Sequence, residues 1–444
     1  MKKYLGMAAL TLALAQTSTA GALQEIYQQA LASDPQLKAA QAVFNADREG
    51  QIQSLAALRP NVSLTADTTY TEISPTTTSD GSRYGYGVTL TQAIFRAEDW
   101  FNLQAGKTLT QQAEVEFSRS QQQLIRRSVD AYLDVLVAQT RFTTTQSVDA
   151  AVKRRLDQVR AQFDVGLIAI TDVEEARASY DAARVARILA QGQLDKSFEA
   201  IDRLTGQHWT ELDLLSSRYP VEVLAPAAFD PWVEKAMSGN LALRLAGLGV
   251  NAAEQRHEAS RSKRLPTVDL VAGFGSDHLP SGTDQDSGYI GLNLNVPLYL
   301  GGRTGSQIRE SASRWDVATQ QREDTRRAVV QSTRSLYRDL MTDVESVAAR
   351  KQSIVSTETA LEAISAGYSV GTRNIVDVLQ AERALYTAIE AYQVARYLYV
   401  RNLLSFKETL GSLSPDDIQQ LDQWLVPPGA EPSIYQPQTP AVQG

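Results

Sequence analysis

Apolar residues recur every seven positions along two stretches of the chain. Val135, Phe142 and Leu156 keep this spacing in the first; Leu340, Val347, Ile354 and Leu361 keep it in the second, with Val344 between them. Seven-residue spacing makes the seam of a coiled coil. Residues 107–165 and 306–366 contain neither glycine nor proline. At about 1.5 Å per residue each stretch is long enough for a helix of roughly 90 Å, far beyond the usual globular length. The seam is narrow and impure, because Asp149 and Lys351 sit on it, and the other faces are rich in Gln, Arg, Asp and Thr. Such helices pack side by side while one face stays wet.

A different period appears where these stretches stop. Val62, Leu64 and Ala66 alternate with Asn61, Ser63, Thr65 and Asp67; after a polar loop near Ser74–Ser82, Tyr84, Tyr86, Val88 and Leu90 alternate with Gly85, Gly87 and Thr89. A second pair follows the same rule. Val268, Leu270, Ala272 and Phe274 precede a loop through Pro280–Asp286, and Ile290, Leu292, Leu294, Val296 and Leu298 alternate with Gly291, Asn293 and Asn295. This predicts strands over about 59–73, 83–95, 265–276 and 288–300. Apolar-out, polar-in alternation over such lengths is the pattern of a membrane β-barrel. Tyr84, Tyr86, Tyr289 and Tyr299 are expected at its aromatic girdles.

The two pairs belong to a duplication at an offset of about 205 residues. The run Phe163-Asp-Val-Gly-Leu-Ile-Ala-Ile-Thr-Asp-Val173 matches Tyr368-Ser-Val-Gly-Thr-Arg-Asn-Ile-Val-Asp-Val378, placing Gly166 on Gly371 and Asp172 on Asp377. Tyr132 falls on Tyr337, Gly206 on Gly411, and Arg59-Pro-Asn-Val62 on Leu265-Pro-Thr-Val268. Each half reads helix, two strands, very long helix, glycine turn, helix. The expected division is a first repeat over 21–206, a linker over 207–239, a second repeat over 240–411, a short segment over 412–426 and a disordered proline-rich tail over 427–444.

Composition narrows the function. The net charge of −8 argues against nucleic acid as the main partner. The absence of cysteine excludes disulfides and thiolate chemistry. Lys2 and Lys3, an apolar stretch from Leu5 to Ala15, and the small residues Ser18-Thr19-Ala20 form a secretory leader over 1–20, cut after Ala20 or after Ala22. The rest has no apolar run long enough for a transmembrane helix, so a closed barrel is the remaining way to span a bilayer. Four strands cannot close one, and an open sheet in lipid leaves its edges unpaired. The chain must then assemble: two copies give eight strands, three give twelve, four give sixteen.

The runs Phe163 to Tyr180 and Tyr368 to Tyr386, with Leu23-Gln-Glu-Ile-Tyr-Gln-Gln-Ala30 upstream, resemble the hairpin turns and mature start of the TolC family of outer-membrane channels. The resemblance spans about residues 22 to 424. It implies a mainly α, mixed α and β fold: a homotrimer with a twelve-stranded barrel in outer-membrane lipid, continued by a twelve-helix coiled-coil tunnel. The linker and C-terminal segment then form an equatorial belt. It further implies an export duct for drugs, small molecules or type I secreted proteins, with a periplasmic adaptor and an inner-membrane ABC or proton-driven pump as partners. No cofactor and no enzymatic activity are implied.

By motif position the resemblance assigns a periplasmic gate to Thr171, Asp172, Tyr368 and Arg373. It assigns a lumen constriction to Asp377, and adaptor or pump docking to the turns at Gly166 and Gly371. The family's second acidic ring falls at Gln380, so the entrance is expected to be less acidic and multivalent-cation block weaker. Taken alone, Asp172 and Asp377 are ordinary acidic charges at helix starts, and Arg373 an ordinary surface residue. Gly106-Lys107-Thr108 is no phosphate loop, since position 101 is Phe, and His208, His257 and His278 lack metal-ligand spacing. A secreted coiled-coil structural protein or adhesin is the alternative, with a periplasmic hydrolase on a helical scaffold behind it.

Overall fold

The computed structural model describes residues 21–71, 81–279 and 283–430. The leader, most of the first strand loop, residues 280–282 of the second loop and residues 431–444 of the tail lie outside the described residues.

The first half begins with α1 (Ala22–Ser33) and α2 (Pro35–Ala56), separated at Asp34. Proline at the first position of α2 cannot continue α1, and the Asp34 carboxylate accepts the Leu37 N–H at 2.9 Å to start the new helix. The second half repeats the device 206 residues later. Asn240 separates α5 (Asp230–Gly239) from α6 (Leu241–Ser262), and its side chain accepts the Leu243 N–H at 3.0 Å.

Four antiparallel strands follow these helices: β1 (Asn61–Thr71), β2 (Gly81–Phe95), β4 (Thr267–His278) and β5 (Asp284–Asn295), with β3 (Leu214–Leu215) lying between them in the chain. The sheet order is β1-β2-β4-β5, so the two halves join through β2 and β4. Register aligns Leu64, Val88 and Phe274 across three strands, and Val62, Leu90, Ala272 and Ile290 across all four. The resulting apolar face is bare: Leu64 is 72% and Ile290 76% exposed. The other face carries Thr65, Gly87, Gly275 and Ser287 in one row.

Two expectations change here. Tyr289 pairs with Gly273, on the polar face, and is not a girdle residue. Its ring covers that glycine so closely that a Cβ there would lie 2.7 Å away. The fourth strand also starts four residues earlier than expected, since Asp284 to Ser287 pair with His278 to Gly275. It ends at Asn295, just before Pro297, which has no N–H to continue the ladder.

Two very long helices leave the sheet. These are α3 (Ala97–Asp164), of 68 residues, and α7 (Arg303–Ser369), of 67. Each turns back at a glycine into a helix about half as long, α4 (Ile170–Thr205) and α8 (Ile375–Thr409). The seven-residue seam is buried at Val135, Leu156, Leu340, Val347 and Ile354. Asp149 survives on it by pairing with Arg187 of α4 at 3.3 Å, whereas Lys351 is exposed.

A belt crosses the helices near their middle. Leu23 and Ile26 of α1, Leu124, Tyr132 and Leu136 of α3, Ile201 of α4, and Ile418 and Leu421 of α9 (Pro415–Asp422) form its core. The short pair of β3 with β6 (Leu425–Val426) closes it. Arg127 holds the buried Asp34 at 2.6 Å. Arg396, fully buried, donates to the Ser216 carbonyl and, at 3.0 Å, to Gln393. The Ser216 bond joins α8 to the belt, while the Gln393 bond stays within α8 (Ile375–Thr409).

Candidate functional site at the hairpin turns

The ends farthest from the sheet are built by two nearly identical stops. At the first, the Gly166 N–H donates to the Phe163 carbonyl at 2.8 Å and the Leu167 N–H to the Gln162 carbonyl at 2.9 Å. At the second, Gly371 N–H donates to Tyr368 at 3.1 Å and Thr372 N–H to Gly367 at 2.9 Å. Both are Schellman closures, which need a left-handed residue; Gly166 and Gly371 take φ of 78° and 79°. Val165, Leu167 and Val370 stand exposed around them.

The starts of the returning helices differ. Ala169 gives α4 no side-chain cap. Asn374 gives α8 a capping box: its oxygen accepts the Asp377 N–H at 2.8 Å, and the Asp377 carboxylate accepts the Asn374 N–H at 3.3 Å. Arg373, 58% exposed, approaches the same carboxylate at 3.9 Å. Asp377 is thus half-buried and structurally engaged, while Gln380, one turn on, is exposed.

Tyr368 donates its hydroxyl to Gln162 Oε1 at 3.1 Å, across the gap between α7 and α3. Burial raises its phenol above the ordinary value; nearby Arg155 lowers it and Asp172 raises it further. Tyr368 packs against the cluster that contains Val173, the chain neighbour of Asp172, and its hydroxyl bonds Gln162 rather than Asp172. Thr171 is exposed on the first turn of α4. Within one protomer the structure brings together Tyr368, Gln162 and Asp172, and separately Arg373 and Asp377.

Above the turns lies a line of polar ties between α3 and α8. Arg155 pairs with Glu382 at 2.9 Å and Arg141 with Glu390 at 3.1 Å; Thr140 meets the Tyr397 hydroxyl at 3.3 Å. Higher still, Arg126 pairs with Glu408 at 3.3 Å, and Arg401 with Asp130 at 3.2 Å and with Asp134. None of these ties was singled out from the sequence. A charge such as Arg155 directly beside the seam residue Leu156 was the available signal.

A bare apolar four-stranded face continuous with hairpins of this length defines an outer-membrane channel subunit, not an enzyme. The comparisons agree. The family model described as outer membrane efflux protein matches the chain twice, over residues 26–207 and 232–412, and the chain belongs to that family. It is 33% identical to the outer membrane protein TolC of Vibrio cholerae, over 91% of this chain and 93% of that one. It is 34% identical to the outer membrane protein TolC of Escherichia coli, over 95% and 89%. The fold is that of the CusC crystal structures, with a TM-score of 0.81 at 16% identity over 88% of this chain and 92% of that one. Family membership places the chain in the outer membrane and removes the adhesin and hydrolase readings.

Proposed function

We propose that three copies of the chain close one barrel and one helical tunnel, and that the duct opens at the end bearing the hairpin turns. The observation that carries this reading is the sheet. Its outer strands β1 and β5 have one partner each, and every strand leaves an apolar residue of that face exposed: Leu64, Val88, Phe274 and Ile290. Lipid leaves no water for open strand edges, so only other copies satisfy them. The count of three rests on the resemblance to the TolC family.

The duct supplies no energy. A periplasmic adaptor and an inner-membrane pump, ATP-driven or proton-driven, deliver drugs, other small molecules or type I secreted proteins to it. The exposed apolar rims of the turns at Gly166 and Gly371 suit docking of such an adaptor. Thr171, Asp172, Tyr368 and Arg373 hold the narrow end closed, with Gln162 as the partner of Tyr368 within a protomer. Three copies of Asp377 line the constriction, with Gln380 one turn away.

Mass measurement of detergent-extracted protein tests the assembly, with three chains expected. Planar-bilayer recording tests the duct, with a small, cation-preferring conductance expected. A monomer stable in water without detergent overturns the reading.

A further inference from the structure

The start of α1 and the end of α9 meet at two carboxylates. Asp422, the last residue of α9, accepts the Gly21 N–H at 2.8 Å on one oxygen and the Gln24 N–H at 3.3 Å on the other. The Ala22 N–H lies 3.4 Å from the carboxylate of Asp213, just before β3. The approach is close: a Cβ on Gly21 would come within 2.3 Å of the Asp422 carboxylate. Meanwhile three cations of the belt are paired elsewhere, Arg127 to Asp34, Arg401 to Asp130 and Asp134, and Lys407 to Asp417. Burial raises the Asp422 carboxyl, backbone N–H bonds lower it, and the charge of Asp213 raises it again. Two acids thus meet the first two nitrogens of the described chain, Asp422 at Gly21 and Asp213 at Ala22, and among the described residues no side-chain cation pairs with either.

An amide at Gly21 brings a single donor and no charge. An ammonium there brings three donors and a full positive charge, and charge-assisted bonds are about twice as strong as neutral ones. We infer that the mature chain begins at Gly21 and that its α-ammonium is the cation around which Asp422 and Asp213 are arranged, so that removal of the leader fastens α9 to α1. Hydrolysis breaks the Ala20–Gly21 amide: water oxygen joins the Ala20 carbonyl carbon, and the freed Gly21 amine takes up a proton. Ser18-Thr19-Ala20 supplies the small residues such a cut requires. A cut after Ala22 would instead discard the Gly21 carbonyl, which accepts the Glu25 N–H at 3.1 Å and opens α1.

The sign of the pH dependence follows. A free α-amine titrates at about 7.7–8.0, and pairing with the Asp422 carboxylate, with the charge of Asp213 beside it, raises that value in the folded state. The contribution is complete below about pH 7.5 and is lost as pH rises through the raised value. The titratable groups at this junction are Asp422 of α9, Asp213 of the belt segment, and Tyr132 of α3, whose hydroxyl donates to the Asp213 carbonyl at 2.7 Å. Burial holds that phenol protonated far above its ordinary range, so it does not titrate in this window.

The test uses full-length protein processed in cells and purified from outer membranes. Its intact mass should correspond to a chain starting at Gly21. Amide-exchange protection of α1 and α9, corrected for the intrinsic effect of pH, should fall about tenfold between pH 6.5 and 9.5, the factor set by one unit of pKa shift. The middle of α3 should show no such step. Asp422→Asn should abolish the step and leave α9 poorly protected at both pH values, and Asp213→Asn should shrink it. A mature chain starting at any other residue overturns the inference, as does a wild-type pH step retained in Asp422→Asn. Neither result touches the channel reading, which rests on assembly and conductance.

Discussion

Arg155 of α3 and Glu382 of α8 form an ion pair of 2.9 Å, with side chains only 20% and 14% exposed, across the seam between the two hairpins of one protomer. The Arg155 Nε and the second Glu382 oxygen have no hydrogen-bond partner among the described residues. Removing one member leaves the other charge sequestered, which costs more than the pair contributes. Glu382→Ala should weaken the seam by about 2–3 kcal/mol and raise single-channel conductance. The double change Arg155→Met with Glu382→Leu should return conductance toward wild type. A double variant as leaky as Glu382→Ala shows that the pair does not hold the seam.

Tyr368 contributes one neutral bond, to Gln162, worth about 0.5–1.5 kcal/mol. Tyr368→Phe alone should therefore open the channel only slightly. Combined with Arg373→Ser it should give trimers of ordinary heat resistance with several-fold larger conductance and sensitivity to bulky antibiotics. Wild-type conductance in the double variant would remove both residues from the lock.

Asp377 carries two roles that substitution separates. Asp377→Asn keeps an acceptor for the Asn374 N–H while removing the charge, so cation preference should fall in bilayers with helix content unchanged. Asn374→Ala should cost about 1 kcal/mol as a lost cap and leave ion preference alone. Because Arg373 stands 3.9 Å from the Asp377 carboxylate, Arg373→Ser should increase cation preference. If Asp377→Asn leaves selectivity as it was, the constriction lies elsewhere.

Burial alone would raise the Asp34 carboxyl, but the Arg127 bond and the Leu37 and Gln36 N–H groups overcome it and hold it below its ordinary value. A depressed carboxyl stabilises the fold above its unfolded pKa of about 3.9, and that contribution is lost as pH falls through the lower folded value. The belt should loosen below about pH 4 in wild type, read as lost heat resistance. Asp34→Ala, which removes both cap and ion pair, should cost about 3–5 kcal/mol at neutral pH. Asn240→Ala at the equivalent place should cost nearer 1 kcal/mol, since its other bond is a neutral one to the Thr409 carbonyl. Equal losses would show that the charge of Asp34 adds nothing.

What the chain discloses without coordinates is whatever depends on near neighbours. The glycine stops at Gly166 and Gly371 and the alternation through Leu64 and Ile290 are local patterns, and the duplication compares the chain with itself. Partners across helices are another matter. Asp149 reads as a flaw in the seam until Arg187 is seen beside it, and Glu382 acquires meaning only once α8 is known to lie against α3. Tyr289 shows a different failure. Its residue type suggested a girdle, but its odd position in an even-numbered apolar row puts it on the polar face, where it fills the space left by Gly273.

The unbroken length of α7 has a mechanical consequence. From Met341, beside the belt, to Ser369 the helix has no proline or glycine except Gly367 near its tip, and 28 steps make an arm of about 42 Å. Rotating such an arm by about 10° about its upper end carries the tip roughly 7 Å sideways, with every helical hydrogen bond kept. The capping box at Asn374 stiffens the far end in the same sense. A small rotation at the belt is thereby magnified into a large displacement of the tip, as a long pointer magnifies a small turn of its pivot.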